Sequence, residues 1–379
     1  MERLLRDLSN ELDTLESSHL RRRLTRVTAV REAVVEVDGR ELVCWCSNDY
    51  LGFASHPALA AAAAAAARQW GVGSRASRLL AGTTEVHAQL EQSLAAWCGA
   101  ESAIVYPSGY LANLGALGAL LSPQDAVFVD RLAHASLLDA ARATRATFRV
   151  FRHNDAPHLA ELLARAGQAR RRIIVTEGLF SMDGDRAPLA ELLEIADRHD
   201  AVLYLDDAHG MFVEGATGRG SAEAAGVASD RLIVMGALGK ALGCQGGFLA
   251  GARALIDALH NHSRTFIYTT ALAVPVAAAA IEALRLLETE PQWRRQLGAR
   301  IAALQTALPQ AHVGSHIVPI IVGDTAEALR RSQRLWEQGI WAPAIRPPTV
   351  PDGTARLRLS VTARHTDEQI LALARALAS

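Results

Sequence analysis

Lys240 is the only lysine in a chain of 379 residues; every other residue counted among its 39 Lys and Arg is an arginine. It lies in GALGKALGCQGG (236–247), a run of glycines and small apolar residues. Arginine can supply positive charge or a phosphate contact, but its guanidinium stays protonated and forms no imine. A lysine in an apolar, glycine-lined loop can lose its proton and become a nucleophile. A chain this biased toward arginine keeps a lysine where an amine is needed. The chemistry an amine offers and a guanidinium does not is imine formation with a carbonyl.

Other reactive side chains recur just past short apolar runs that read as strands. After AIVY (103–106) come Pro107, Ser108, Gly109 and Tyr110, and after AVFVD (126–130) comes His134. After IIVT (173–176) come Glu177, Ser181, Asp183 and Asp185. VLYLD (202–206) ends in Asp206, followed by Asp207 and His209, and LIVMGA (232–237) leads into Lys240. Ligands of open α/β sheets sit beyond the carboxyl ends of the strands, so these residues form one candidate site. The set contains no nucleophile elbow. It contains no Walker loop, since Ala241 follows Gly239-Lys240, and no dinucleotide fingerprint. Pyridoxal phosphate asks for a Schiff-base lysine and an acid against its pyridinium nitrogen. It also asks for backbone N–H groups at a helix start to hold the phosphate, and a flat group on the ring face. Lys240, Asp206, Ser108-Gly109-Tyr110 and His134 fill these roles in that order.

The elements that must position them follow from the pattern. From about 46 to 285 the apolar runs, GFLAG (247–251) among them, alternate with helical stretches such as PLAELLEIADRHD (188–200). That alternation predicts βαβ units and a mostly parallel sheet covered on both faces. Residues 1–45 predict a helix and a strand pair turning at Asp38-Gly39. After 286 the pattern predicts a smaller α+β domain with strands at HIVPIIVG (316–323) and RLRLSV (356–361). ALAAAAAAAA (58–67) reads as a helix started by Pro57, too short to span a bilayer.

Composition sets limits. Half the residues are apolar, 21% are charged, and the net charge is −1. This argues against a nucleic-acid or anionic-membrane partner held by bulk charge. Cys44, Cys46, Cys98 and Cys244 show no zinc spacing and no C-x-x-C, so no metal is expected and the thiols are expected reduced, as in the cytoplasm. The N-terminal segment has no secretory h-region. His153, His158, His260 and His262 read as surface or helix-end histidines, and Arg21-Arg22-Arg23 as a solvated helix face.

Several segments together resemble a known family. SNDYLGFASHP (47–57), YPSGYLAN (106–113), DRLAHASLLDAAR (130–142), TEGLFSMDGDRAPL (176–189), DDAHGMFVEGATGRG (206–220) and GALGKALGCQGG are similar to the α-oxoamine synthases. These are pyridoxal-phosphate enzymes of fold type I, with a large cofactor domain and a smaller C-terminal domain. The likeness runs from about residue 20 to the end, and AIRPPTVPDGTARLRLSVTARH (344–365) points toward one branch. The resemblance implies a homodimer with its active site at the subunit interface. It implies condensation of L-alanine with a pimeloyl thioester, on coenzyme A or acyl carrier protein, with loss of CO2, in biotin biosynthesis. A sister synthase such as glycine acetyltransferase is the alternative. The resemblance further implies Lys240 as the Schiff-base lysine, Asp206 at the ring nitrogen, His209 and Ser181 near the ring hydroxyl, and His134 stacked on the ring. Ser108, Gly109 and Tyr110 hold the phosphate, with Thr269 or Thr270 of the other subunit. Arg21, Asn48, His134, Thr349 and Arg358 are implied as substrate contacts, Arg358 at the amino-acid carboxylate, where a bidentate guanidinium suits. Arg346 is left to the distal carboxylate or to a local pair. One departure stands out: Ala237 occupies a position where many members carry a phosphate-binding threonine.

Overall fold

The computed structural model describes residues 1–311 and 313–378. The chain divides into two compact units. One comprises Asn48–Ser181 and Asp185–Arg295; the other comprises Met1–Ser47, Met182–Gly184 and the described residues from Gln296 onward. The division falls inside the helix Gln292–Ala307.

In the first unit seven strands form one sheet. Their order is Ser102–Tyr106, Gly247–Gly251, Leu232–Ala237, Val202–Asp206, Arg172–Glu177, Ala126–Asp130, Thr147–Phe151. Gly247–Gly251 runs antiparallel to both neighbours, and the remaining pairs are parallel. The strands ending at Tyr106, Asp130, Glu177, Asp206 and Ala237 therefore share one edge. Alternate residues feed two cores. Val127 and Val129 join Ile104 and Leu137 in one cluster, while Ala126 and Phe128 join Leu159 and Leu192 in the other. A sheet buried on both faces needs apolar residues at every position, which is why these strands read as unbroken runs. Thr147–Phe151 has no such signature in the sequence. It is an edge strand exposed at most positions and interrupted by Arg149, so it carries no apolar run. The alanine-rich segment forms the helix Pro57–Trp70, and His56 caps it by accepting the Ala58 N–H at 3.2 Å.

In the second unit one sheet runs Ile317–Gly323, Ala355–Ser360, Ala344–Ile345, all antiparallel. Another runs Val27–Arg31, Val34–Val37, Arg40–Cys44, Ile340–Trp341. Asp38 and Gly39 turn the hairpin with φ of 50° and 75°, the mirror-image turn whose twist matches the strands. The helix Glu2–Ser17 buries no residue, and Leu4, Leu5, Leu8, Leu12 and Leu15 are exposed along it. The C-terminal helix Asp367–Ala378 buries Ile370 and Leu373, as its apolar stripe requires. Among the described residues no helix is long and apolar enough to cross a membrane.

Candidate active site

The shared strand edge of the first unit opens into a cavity of about 370 Å³. Ser108, Gly109, Tyr110, His134, Asp206, His209, Lys240 and Asn48 all line it. Residues far apart in sequence converge there, most of them because the strands end at the same edge.

The strand ending at Tyr106 turns through Ser108 into the helix Gly109–Leu120. Ser108 is its N-cap, its Oγ accepting the Leu111 N–H at 3.2 Å. The first turn of that helix presents backbone N–H groups with the positive end of the helix dipole, an anion cradle. Gly247 backs this turn: a Cβ there would fall 2.6 Å from the Gly109 Cα, so only glycine lets the antiparallel strand come so close. Ala237 lies alongside, its Cβ 3.9 Å from where a Gly109 Cβ would be.

His134 caps the helix Ala135–Ala143, its Nδ1 accepting the Ser136 N–H at 3.3 Å. Burial lowers its pKa against the opposing pull of Asp206, so the ring is a neutral flat surface at the cavity. Asp206 is buried. Its Oδ2 accepts from Asn113 Nδ2 at 2.7 Å and its Oδ1 from the Ala208 N–H at 3.0 Å. Asn113 is held in turn by Tyr204, whose hydroxyl donates to its Oδ1 at 2.9 Å. The next residue along, Asp207, takes no part in the cavity. It points away to Ser221, accepting its N–H at 2.8 Å and its hydroxyl at 2.5 Å. Successive strand-end residues face opposite ways, which separates the two carboxylates.

Glu177 pairs in register with Asp206 on the neighbouring strand and lines the cavity. One carboxyl oxygen accepts the Ser181 N–H at 3.1 Å. The other, Oε1, is buried without a hydrogen-bond partner among the described residues. Burial, and then the charge of Asp206, pushes this carboxyl up to about 8.

Lys240 sits in a closed loop held by Leu238 N–H to Gly246 C=O at 3.0 Å and Gly243 N–H to Lys240 C=O at 2.8 Å. Gly243 has φ of 63°, and a Cβ there would lie 2.2 Å from the Ala54 nitrogen. Nζ of Lys240 is 2.8 Å from Nε2 of His209, whose Nδ1 is 2.6 Å from the Tyr50 hydroxyl.

The remaining expected residues are placed elsewhere. Ser181 is buried behind Glu177 and does not line the cavity. Thr269 and Thr270 follow the exposed Tyr268, also outside it. Arg21, Thr349 and Arg358 belong to the second unit. There Arg346 donates to the carbonyls of His19 and Arg21, a local pairing, and Arg22 reaches Thr349 Oγ1 at 3.5 Å. Arg358 is buried, its guanidinium donating to Ser360 Oγ at 2.8 Å. Reading His153 as a surface or helix-end histidine is corrected. It bridges Asp130 at 2.9 Å and Asp185 at 2.8 Å, partners supplied by neighbouring elements that its local sequence does not announce. Tyr50, Asn113, Glu177 and Gln245 also reach or support the cavity. Glu177 is expected from its place past a strand, and of the other three only Asn113, a polar residue inside an apolar helix, carries a local signal.

The donor set fits pyridoxal phosphate. An amine stands at the cavity with a buried carboxylate, a helix start faces the same space, and a buried carboxyl oxygen looks for a partner there. The volume lies within the roughly 300–1,000 Å³ of small-ligand sites. Comparison with known proteins agrees. The family model of aminotransferase class I and II matches residues 40–377. A serine palmitoyltransferase variant from S. paucimobilis, solved with a bound aldimine of pyridoxal phosphate and myriocin, superposes with a TM-score of 0.92 at 31% identity, covering 98% of this chain and 95% of that one. The fold and site therefore define a pyridoxal-phosphate enzyme of fold type I.

Within that class the sequence relatives are narrower. The 8-amino-7-oxononanoate synthase of Anaeromyxobacter dehalogenans is 48% identical over 97% of this chain and 94% of its own length. A solved 8-amino-7-oxononanoate synthase from Francisella tularensis is 28% identical with a TM-score of 0.76, covering 89% of this chain and 96% of its own. The chain belongs to the 8-amino-7-oxononanoate synthase family.

Proposed function

We infer that the protein condenses L-alanine with a pimeloyl thioester, releasing CO2 and free thiol and giving 8-amino-7-oxononanoate for biotin biosynthesis. The observation that carries the chemistry is the Lys240 amine, 2.8 Å from His209 in a cavity it shares with Asp206. Bound there, pyridoxal phosphate supplies an electron sink for negative charge at the amino acid's Cα. The protein does the rest. Lys240 would hold the cofactor through its Nζ, and its amine would take the Cα proton of the amino acid and later return one. The Asp206 carboxylate would hold the ring nitrogen in its protonated form. His134, neutral and flat, would lie against the ring, and the turn at Ser108 to Tyr110 would bind the phosphate. Arg358 meets the alanine carboxylate, and Arg21, Asn48 and Thr349 contact substrate, by the family pattern.

We extend the reading to a cytoplasmic homodimer in which Thr269 and Thr270 serve the partner's phosphate site. Support comes from large apolar residues that this chain leaves exposed in one unit: Val72 is 83% exposed, Leu80 79% and Tyr268 73%. The acyl donor is a pimeloyl thioester of coenzyme A or acyl carrier protein.

The close superposition on serine palmitoyltransferase favours one rival, a sister synthase of different amino-acid or acyl preference, such as glycine acetyltransferase. Titrating the loaded enzyme with L-alanine, glycine and L-serine, then adding pimeloyl-coenzyme A and measuring thiol release, separates them. Alanine-dependent thiol release is expected. A response confined to glycine or serine would keep the fold and the lysine but overturn the substrate.

A further inference from the structure

Three hydrogen bonds run from Lys240 into the cavity lining. Lys240 Nζ is 2.8 Å from His209 Nε2, His209 Nδ1 is 2.6 Å from the Tyr50 hydroxyl, and that hydroxyl donates to Asn48 Oδ1 at 3.2 Å. A tyrosine hydroxyl has one hydrogen. With that hydrogen given to Asn48, Tyr50 meets His209 as an acceptor, so Nδ1 carries the imidazole proton. A neutral imidazole protonated at Nδ1 presents a lone pair at Nε2. That lone pair faces an ammonium group, which can only donate. The directions are consistent along the whole chain of bonds. Tyr50 is fully buried, so water does not compete for its hydroxyl.

We propose that Tyr50 is a positioning residue: by accepting the Nδ1 proton of His209 it leaves Nε2 ready to take the proton that Lys240 must lose before its amine attacks a carbonyl. The proposal rests on the reading of Lys240 as the imine-forming lysine. In the step, an N–H bond at Nζ breaks and one at Nε2 forms, and the resulting imidazolium keeps its Nδ1–H on Tyr50. The freed electron pair on Nζ attacks the cofactor's carbonyl carbon. The two hydrogens remaining on Nζ leave with the carbonyl oxygen as water.

Phenylalanine at 50 removes the acceptor and keeps the ring. The test is nitrogen NMR of the full-length protein labelled at histidine, with His209→Asn to assign the signal among 13 histidines. It is paired with the rate at which ligand-free protein captures pyridoxal phosphate, read from the growing imine absorption. Wild type is expected to show His209 protonated at Nδ1. Tyr50→Phe is expected to move it toward the Nε2 form and slow capture by roughly tenfold, the low end of what a positioned proton acceptor contributes. A merely structural role would leave the tautomer unchanged. Wild-type protein that captures the cofactor with His209 protonated at Nε2 would overturn the role of Tyr50 alone, whether or not the variant folds. Wild-type protein that forms no imine would overturn the cofactor reading, and with it this role.

Discussion

Glu177 and Asp206 occupy the same rung of two adjacent parallel strands, yet their carboxyls are held differently. Asp206 has donors on both oxygens, from Asn113 and Ala208, whereas Glu177 keeps one oxygen buried with no partner among the described residues. Burial and the neighbouring charge raise Glu177 to about 8, favouring its protonated form near neutral pH. A group raised in the folded state contributes stability that is fully present below its unfolded pKa and is lost as pH rises through the folded one. Glu177→Gln keeps the shape and removes the titration. Its melting temperature should match wild type near pH 4.5 and exceed it by several degrees at pH 8.5, since a tenfold difference in proton affinity between the folded and unfolded chain is worth about 1.4 kcal/mol. Parallel melting curves across that range would mean Glu177 is ionised throughout.

Lys240→Arg keeps the positive charge and loses the amine. The variant should fold, show no imine absorption with pyridoxal phosphate, and lose turnover by at least about a thousandfold. Thiol release at the wild-type rate would remove Lys240 from the mechanism.

Ala237 lines the same cavity as the turn at Ser108 to Tyr110 and stands beside Gly109. A hydroxyl placed there can add one charge-assisted hydrogen bond to a bound phosphate, worth about 1.5–3 kcal/mol. Ala237→Thr should therefore tighten pyridoxal phosphate binding by roughly tenfold or more, measured by equilibrium titration of ligand-free protein. Equal or weaker binding would show that other groups already satisfy the phosphate.

The parts of this site legible in the sequence are those where one residue type follows an apolar run. Asp206 and Lys240 sit at or just past strands whose continuous hydrophobicity comes from burial on both faces, and Ser108 opens a helix in a glycine-containing turn. The parts that were not legible depend on partners distant in the chain. Tyr50 meets His209 and Asn113 meets Asp206 only once the sheet has formed. Glu177 could be placed at the strand edge, but its raised pKa depends on Asp206 arriving beside it. The strand Thr147–Phe151 escaped because most of its positions are exposed, whereas Ser102–Tyr106 at the opposite edge of the sheet is buried almost throughout and keeps an apolar run.

His153 shows the same dependence and gives a measurable consequence. Burial alone would lower its pKa, but hydrogen bonds to Asp130 and Asp185 overcome that and lift it to about 10. The imidazolium also stands edge-on to Phe180, ring centres 4.4 Å apart, and Phe180 N–H donates to the Asp185 carbonyl at 2.9 Å. It thus ties the strand ending at Asp130 to the segment that follows Glu177. Its contribution is fully present below the ordinary histidine value near 6.5 and is lost as pH rises through about 10. His153→Ala leaves Asp130, whose side chain is fully buried, without its countercharge. Removing one partner of such a pair costs about 3 kcal/mol. Denaturant unfolding should show that loss at pH 7 and a shrinking gap between variant and wild type above pH 10. A gap that stays constant through pH 10 would mean the histidine stabilises by packing against Phe180 and not by its charge.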